Sequence, residues 1–578
     1  MGKAKAVKQS AATAPESVEV CYDLFDLPTA FHKAGLAGLI LQLRSMERRG
    51  ILADHEVPPE PGLTSMTIRF TESLVNKVFD DVYDAKPYRS WVRSKWAGQE
   101  PVASEKRPET DKATGKTKEV TWYAYDVIQP SGECLRELYP PMPENKGWHK
   151  LWRDMLWAIP RGNPQSRQPF EQRAADPAQP CKEGPAAWAA LRKAQATGWG
   201  LTGPVASSLW PGAQAENAER APFEGRVEHN LLLHFWPLTV LVFVPDRFKA
   251  KQQGGEVVIE YEPPSYSLAV PDVADLKEFI GQYPKLAGGL NGPLAGEDAV
   301  RGFRPARAVI DMPEEGALAL MEHMAWLLGD RVQRMERLKR VIHTVEFIHL
   351  AKEGNNIKTL AAGRVAPTDY LLDEYEVICP RDPKTRPYHN PLFRRALIRA
   401  LLDNQPWYKP FGKLFAEWDV SFFVPTDHPP SLSWFWADAR KKLQEVIQAM
   451  PAAPHPNDPP PDSDDLLLML IHRLTRTYLA ERAKRKSGVD PEKFKEGDKI
   501  NWEKLPKDYY DARRAVGESL FLEFRSRRDQ AFIDHFAQTF FAAKQYVSED
   551  QYSEIGHALL RRAEDVKVLT LMALSANS

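Results

Sequence analysis

Basic and aromatic side chains interleave in Tyr88-Arg-Ser-Trp-Val-Arg-Ser-Lys-Trp96, and this alternation is the first place where the chain offers chemistry. Cations beside aromatic faces can hold a sugar–phosphate backbone while the rings stack on bases. Arg89, Arg93 and Lys95 would supply that charge. The same residues also fit an amphipathic surface helix with Trp91 and Trp96 in the core, and the stretch alone leaves both readings open. Arg331, Arg334 and Arg337 recur every third residue, with Lys339 and Arg340 behind them. On one helix face they would make a positive stripe suited to phosphates, or a solvated face partly offset by Glu336. Two further basic groups lie near the C-terminus: Arg525, Arg527 and Arg528 within Leu520–Asp529, and Arg482, Lys484, Arg485 and Lys486. From 466 to 578, Lys and Arg number 20 against 17 Asp and Glu, so any phosphate contact there is local.

Two polar, glycine-bearing stretches have groove-reading chemistry. One runs from Arg161-Gly-Asn163 through Gln165 and Arg167; the other is Gly212-Ala-Gln214-Ala-Glu-Asn217. Asn and Gln present paired donors and acceptors that match base edges, and Arg can be bidentate to guanine. Such residues are equally common in plain turns. His343, Glu346 and His349 recur at three-residue spacing, so a helix would present them together as metal ligands, although no fourth ligand lies at useful spacing. No Gly-x-x-x-x-Gly-Lys-Ser/Thr, Gly-x-Ser-x-Gly or His-Glu-x-x-His motif is present. The expected character is therefore binding without catalysis, with no cofactor and no metal.

The elements that must position these groups belong to a chain of 578 residues, too long for one hydrophobic core. A net charge of −1 gives no bulk case for a nucleic-acid partner, so that case rests on local clusters. Cys21, Cys134, Cys181 and Cys379 lie far apart, without a Cys-x-x-Cys pair or a disulfide framework. Met1–Pro15 lacks the apolar run of a secretory signal, and Leu231–Val244 is too short to span a bilayer, so a cytoplasmic protein without membrane contact is expected.

The fold class expected is α+β: a mixed N-terminal body with antiparallel strands and helices over 20–450, then a C-terminal four-helix bundle over 466–578. Residues 1–19 read as a disordered tail, 451–465 as a proline-rich linker, and a sub-boundary is expected near 300. Within the body, Tyr22–Arg49 reads as helical, and Gly35 and Gly38 leave one face bare for close backbone approach. A hairpin is expected where Val102–Pro108 and Lys118–Val127 flank the turn Asp111-Lys-Ala-Thr-Gly115. Trp148–Ile159 and Ala186–Ala196 read as helices, Leu231–Val244 and Glu256–Tyr261 as strands, and Ala306–Ile310 as a weaker strand. Leu318–Ala351, Pro391–Asp403 and Ser433–Met450 read as helices. The bundle segments expected are 466–484, 508–523, 525–543 and 549–574.

Several segments together resemble one family. Tyr22-Asp-Leu-Phe-Asp-Leu-Pro-Thr-Ala-Phe-His-Lys-Ala-Gly-Leu-Ala-Gly-Leu39 resembles the N-terminus of the large subunit of type I CRISPR Cascade, in its myxobacterial (MYXAN) branch. Leu151-Trp-Arg-Asp-Met-Leu-Trp-Ala-Ile-Pro-Arg-Gly-Asn163, Gly212–Ala218 with Leu231–Pro237, Phe521–Asp529 and Glu564–Leu571 are similar to the same family. The likeness covers nearly the whole chain and rests on the order and spacing of the set.

The resemblance implies a non-catalytic subunit of an RNA-guided DNA surveillance complex, in which pairing reads sequence and protein reads a short duplex motif. It implies a guide RNA, a target double-stranded DNA, the backbone and other Cascade subunits, and a recruited helicase-nuclease or transposition adaptor as partners. Under it, Gln214 and Asn217, then Asn163 and Arg161, become motif-sensing residues. Arg89, Arg93, Lys95, Arg331, Arg334, Arg337, Arg525, Arg527 and Arg528 become backbone contacts. Some related systems make a small subunit by internal initiation, and Met450, just before the prolines, would start one of 129 residues. Two rivals stand beside this: a metal-dependent nuclease using His343, Glu346 and His349, and a helical protein–protein scaffold without DNA contact.

Overall fold

The computed structural model describes residues 17–578 apart from 96–98, 111–114, 116, 140–150, 156–167, 206–223, 254–255, 263–264, 290–293, 296–303, 330–332, 354–355, 426–433, 450–462, 497–498 and 542–548. Two compact units divide it. The first comprises residues 1–245 and 264–372, the second 246–263 and 373–578. The expected tail (all but its last three residues) and most of the expected linker fall outside the described residues.

In the first unit β1 (Val18–Asp23) pairs antiparallel with β2 (Ser65–Phe70). Between them lies α1 (Ala30–Arg48), which starts later than the sequence suggested because Tyr22 and Asp23 belong to β1. After α2 (Glu72–Val82) come β3 (Ala85–Val92), β4 (Ala103–Thr110) and β5 (Thr117–Pro130), a three-stranded antiparallel sheet in the order β3-β5-β4. The β4–β5 hairpin is the one expected, and Gly115 takes φ +65°, the left-handed conformation for which glycine suits the turn. Then follow α3 (Glu133–Leu138), α4 (described over 151–155), α5 (Gln168–Ala175), α6 (Glu183–Ala196), the short pair β6 (Thr202–Pro204) and β7 (Glu224–Arg226), and α7 (Val227–Leu232).

The core sheet of this unit has five strands. It joins β8 (Leu241–Pro245), β11 (Tyr266–Val273), β14 (Val309–Ile310), β15 (Ile342–Glu353) and β16 (Asn356–Val365) in the order β14-β8-β11-β15-β16, parallel only between β14 and β8. Its central strand β11 is buried on both faces. Asp272 holds Lys33 of α1 at 2.7 Å, while Ser267, of opposite parity, donates to the Pro313 carbonyl just before α9 (Glu315–Leu327). The remaining elements are α8 (Leu276–Gly289), the pair β12 (Leu294–Ala295) and β13 (Arg304–Pro305), α10 (Arg334–Val341), and α11 (Asp369–Ile378), along which the chain leaves the unit. The bare face of α1 is used as expected: a Cβ on Gly35 or Gly38 would overlap the carbonyl oxygen of Leu232 or Phe235.

The second unit takes the antiparallel hairpin β9 (Phe248–Gln253) and β10 (Glu256–Tyr261), then α12 (Pro391–Leu402), α13 (Phe411–Glu417) and α14 (Phe435–Ala449). It continues with α15 (Ser463–Ser487), a short pair β17 (Lys495–Glu496) and β18 (Lys499–Ile500), α16 (Lys507–Ser526), α17 (Asp529–Phe540), α18 (Glu549–Arg561) and α19 (Ala563–Asn577). α19 is the buried axis, with α14, α15 and α16 packed around it. Phe415, Phe423 and Phe435 meet Phe521 of α16 or each other with centroids 4.9–5.8 Å apart.

Three sequence expectations are corrected. Leu231–Val244 is not one strand: α7 and a 3-10 turn at Trp236–Leu238 precede β8, because Pro237 cannot continue a ladder. Leu318–Ala351 is helical only through α9 and α10; the β-branched and aromatic run from Ile342 forms β15. The expected C-terminal helix over 549–574 is two helices, broken at Arg562 (φ −141°, ψ 47°), so the described residues of 466–578 form five α-helices where four were expected.

Candidate nucleic-acid interface

Tyr88–Val92 lies in a strand, so the amphipathic-helix reading of that stretch is overturned and period two decides its faces. Register places Trp91 opposite Ala124, Arg89 opposite Asp126, and Glu105 opposite Trp122. One sheet face therefore carries Arg89 and Trp91 from β3, Glu105, Arg107 and Glu109 from β4, and Trp122 from β5. The Arg107 guanidinium lies over both indoles, 4.5 Å from the Trp91 centroid and 5.2 Å from that of Trp122. Arg93 approaches Trp122 at 5.8 Å, and Lys95 approaches Tyr123 at 5.7 Å. The root of this arm is tied down: Ala85, Ala124 and Tyr125 are buried, and α5 packs on β3 and β5. Toward the hairpin end, Lys118 and Glu119 are exposed. Both tryptophans are half-buried, so each keeps ring surface open to solvent.

The arm's cations are matched by carboxylates. Arg89 donates twice to Asp126 (2.9 and 3.3 Å), and that carboxylate holds its guanidinium above the ordinary arginine value. Arg93 meets Glu109 at 2.8 Å and Lys95 meets Glu100 at 3.6 Å. The Arg89 and Lys95 pairs are exposed, and such pairs contribute only ~0–1 kcal/mol each, so a phosphate can replace the carboxylate at little cost there; Glu109 is half-buried and also accepts from the Trp122 indole at 3.1 Å. Charge alone does not make this face a polyanion site. The stacked indole–guanidinium ladder is what sets this face apart from an ordinary charged surface.

Other expected residues fall differently. Gln214, Asn217, Asn163, Arg161 and Arg331 lie outside the described residues. Arg334 is buried in α10, and Arg337 donates to the Leu328 carbonyl and, at 3.0 Å, to Glu278. Arg525 closes α16 and donates to the Ala416 carbonyl at 2.9 Å; Arg527 donates to the Glu523 carbonyl at 2.7 Å. Arg528 is exposed at the start of α17. Leu520, Phe521 and Phe524 are core residues, so the aromatic half of Leu520–Asp529 is packing. His343, Glu346 and His349 sit on β15, where three-residue spacing no longer gathers them. Glu346 pairs with Arg364 on β16, and His349 shares a 2.8 Å hydrogen bond with Ser265.

A second basic group was not foreseen. Arg440 and Arg513 donate to the Ala576 and Asn577 carbonyls (2.9 and 2.7 Å), offsetting the negative end of α19. Burial, then the nearby Arg476, Arg513 and Arg440, press His472 down to about 4. Arg107 and Trp122 were also missed as site residues, although the expected hairpin contained them. Alternation along both strands carried the signal, but register was needed to bring them onto the face of Trp91.

A mixed body followed by a helical C-terminal unit agrees with the comparison to known families, which defines the class as the large subunit of a CRISPR Cascade complex. A family model for the type I-B CRISPR Cas8b N-terminal domain matches residues 62–334, and one for the Cas8b C-terminal domain matches 342–577. The chain belongs to the type I-B CRISPR Cas8b family, and so is a component that associates with other Cascade subunits. No curated protein matches it. Among the described residues, no helix is long and apolar enough to cross a membrane.

Proposed function

We propose that this Cas8b chain, of the myxobacterial branch its N-terminal segment resembles, is the non-catalytic subunit that inspects the protospacer-adjacent motif and grips target DNA in a guide-RNA complex. The observation that carries the gripping role is the Trp91–Arg107–Trp122 ladder with Arg93 beside it, because flat cationic stacks suit bases and phosphates together. Arg89 and Lys95 then exchange carboxylates for phosphates on binding. Motif sensing is assigned to Gln214 and Asn217, with Asn163 and Arg161 second, on the chemistry of their side chains. Arg331, Arg334, Arg337, Arg525, Arg527 and Arg528 complete the proposed backbone contacts; of these, Arg337 and Arg528 have the solvent access such a contact needs. The complex acts in the cytoplasm, holds the displaced strand, and hands the target to a helicase-nuclease or a transposition adaptor. A small subunit translated from Met450 is part of the same proposal.

The test is binding of the assembled guide complex to duplexes whose flanking base pairs are randomised. Wild type should select a short flanking motif, and Gln214→Ala/Asn217→Ala should lose that selection while keeping affinity. Trp122→Ala/Arg107→Ala should weaken binding on every flank by about tenfold or more, as the loss of one stacked base and its cation implies. Unchanged affinity in the arm variant would remove the arm from the interface.

A further inference from the structure

Among the described residues, α15, α16 and α17 line an open cleft of about 460 Å³ that the arm and the motif-sensing residues leave unused. We propose that this cleft seats one nucleotide of a single strand. The inference rests on the reading of the chain as a nucleic-acid-gripping subunit and adds a place, a stoichiometry and a chemistry to it.

The rim is cationic and uncommitted. Arg482 and Lys486, one helical turn apart on α15, are exposed, and neither has an ion-pair partner among the described residues. Arg482 is already posed: its Nε donates to the Tyr478 hydroxyl at 3.0 Å, and its guanidinium lies 5.1 Å from that ring's centroid. Tyr478 is in turn held edge-on by Phe540 at 5.5 Å, so ring and guanidinium form a prepared stacking surface. The contrast with Lys484 is instructive, because that neighbour is tied to Asp490 at 3.0 Å.

The floor is apolar, from Val516 and the buried Leu520 of α16. The far wall is polar and carries one acid. Glu523 lies 3.1 Å from His535 and accepts from Ser519 at 3.1 Å, so the wall's acid is held toward α17 and the two rim cations outnumber it. Gln538 on α17 offers an amide of the kind that reads a base edge.

Size and chemistry together select the occupant. A bare phosphate needs the two cations but not the apolar floor. An apolar peptide side chain needs the floor but gains nothing from unpaired guanidinium and ammonium groups. A nucleotide uses all three parts, with its phosphate on Arg482 and Lys486 and its base over Tyr478 and Leu520. The volume lies within the ~300–1,000 Å³ usual for small-ligand pockets.

The experiment uses the full chain and two photoreactive probes: a single-stranded oligonucleotide carrying one 5-iodo-deoxyuridine, and free 5-iodo-deoxyuridine monophosphate. Overall strand binding is followed in parallel by fluorescence anisotropy. The expected result is cross-linking of the strand to the Tyr478 peptide. That cross-link should fall about tenfold in Ser519→Trp, which fills the mouth from an exposed position and so leaves the helix core intact. Arg482→Ala/Lys486→Ala should lower the salt dependence of strand binding by about 0.7 in log–log slope, the share of one single-strand phosphate. Strand binding retained without any Tyr478 cross-link overturns the seat alone. Absence of strand binding altogether overturns the gripping reading first. If the free nucleotide labels Tyr478 as efficiently as the strand at equal concentration, the occupant is a free nucleotide and the assignment to a strand is wrong.

Discussion

Alanine at Gly38 sets two physical effects of opposite sign against each other, and the structure decides between them. Replacing a mid-helix glycine with alanine ordinarily stabilises by ~1 kcal/mol, through lower chain entropy in the unfolded state. In α1 the added methyl would sit 2.9 Å from the Phe235 carbonyl carbon and closer still to its oxygen. Backbone cannot rotate away as a side chain can, so the helix must move. Movement stretches the bond from the Thr239 hydroxyl to the Ala34 carbonyl (2.7 Å), worth ~1 kcal/mol, and opens the edge-on pair of Phe31 and Trp236 (5.2 Å), worth ~0.5–1.5 kcal/mol. With an overpacking cost of ~1–3 kcal/mol, the net is destabilisation of ~1.5–4.5 kcal/mol after the propensity gain is subtracted. Gly35→Ala should behave alike, because its methyl meets the Leu232 carbonyl in the same way. Gly281 in α8 is the control: nothing lies within 4 Å of a Cβ there, so Gly281→Ala should stabilise by ~0.5–1 kcal/mol. A chain of this size need not unfold in one step, so the readout is hydrogen exchange of α1 and α8 amides. Protection in α1 should drop for Gly38→Ala and not for Gly281→Ala. Equal or greater protection of α1 in Gly38→Ala would refute the close-approach argument.

Further outcomes are expected. His32 is 3% exposed, and burial with repulsion from His229 lowers it to about 4. Its contribution to stability is therefore intact above about 6.5 and is lost at about 1.4 kcal/mol per pH unit as the unfolded chain takes up a proton down to about 4. His32→Gln should flatten that acid slope in chemical denaturation, and an unchanged slope would assign it to other groups. Phe521→Ala should cost ~3–5 kcal/mol in the second unit, because its ring is fully buried against Phe415 and Phe423; an urea midpoint within error of wild type would contradict this. A fragment of residues 450–578 lacks α14 and the Phe415–Phe423 wall, so purified alone it should bind a hydrophobic dye or self-associate. A monomeric, dye-negative fragment would show that the remaining helices repack, and mass spectrometry of the purified complex shows whether such a product is made at all.

What the sequence disclosed follows the range of each signal. The β4–β5 hairpin was legible because a turn glycine and two alternating strands are local, and so was the bare face of α1. The run after Arg340 was misread because three-residue spacing of His343, Glu346 and His349 coincides with helical periodicity, while burial between β11 and β16 makes it a strand. Short apolar runs look alike in a buried helix and a buried strand. The split of the last helical segment at Arg562 was equally hidden, since that residue's conformation goes with tertiary contacts: Arg562 pairs with Asp464 at the start of α15. The arm was half legible. Its residue types were visible, but whether Trp91 faced solvent or core depended on a pairing partner more than thirty residues away.

On the proposed DNA-gripping role, a chain with a net charge of −1 can still serve a polyanion because much of its positive charge is stored in two kinds of pair. Arg49 with Asp81 and Lys77 with Glu56 lie at 2.8 and 2.7 Å with a mostly buried carboxylate, and breaking them would strand that carboxylate at a cost of several kcal/mol. Arg89 with Asp126 and Lys95 with Glu100 are open to solvent, and each is worth ~0–1 kcal/mol. A phosphate that replaces an exposed carboxylate gains a charge-assisted bond and gives up little, while the displaced acid is rehydrated. The stored charge also lowers attraction to random DNA, because the free arm presents nearly balanced sides to a distant polyanion. On this argument affinity comes from contact, through stacking on Trp91 and Trp122, rather than from long-range steering. The association rate of the complex should then depend only weakly on salt, while its dissociation rate should rise with salt as phosphates give way to counterions and the original carboxylates. A steep salt dependence confined to the association rate would contradict that picture and place the binding charge elsewhere in the assembly.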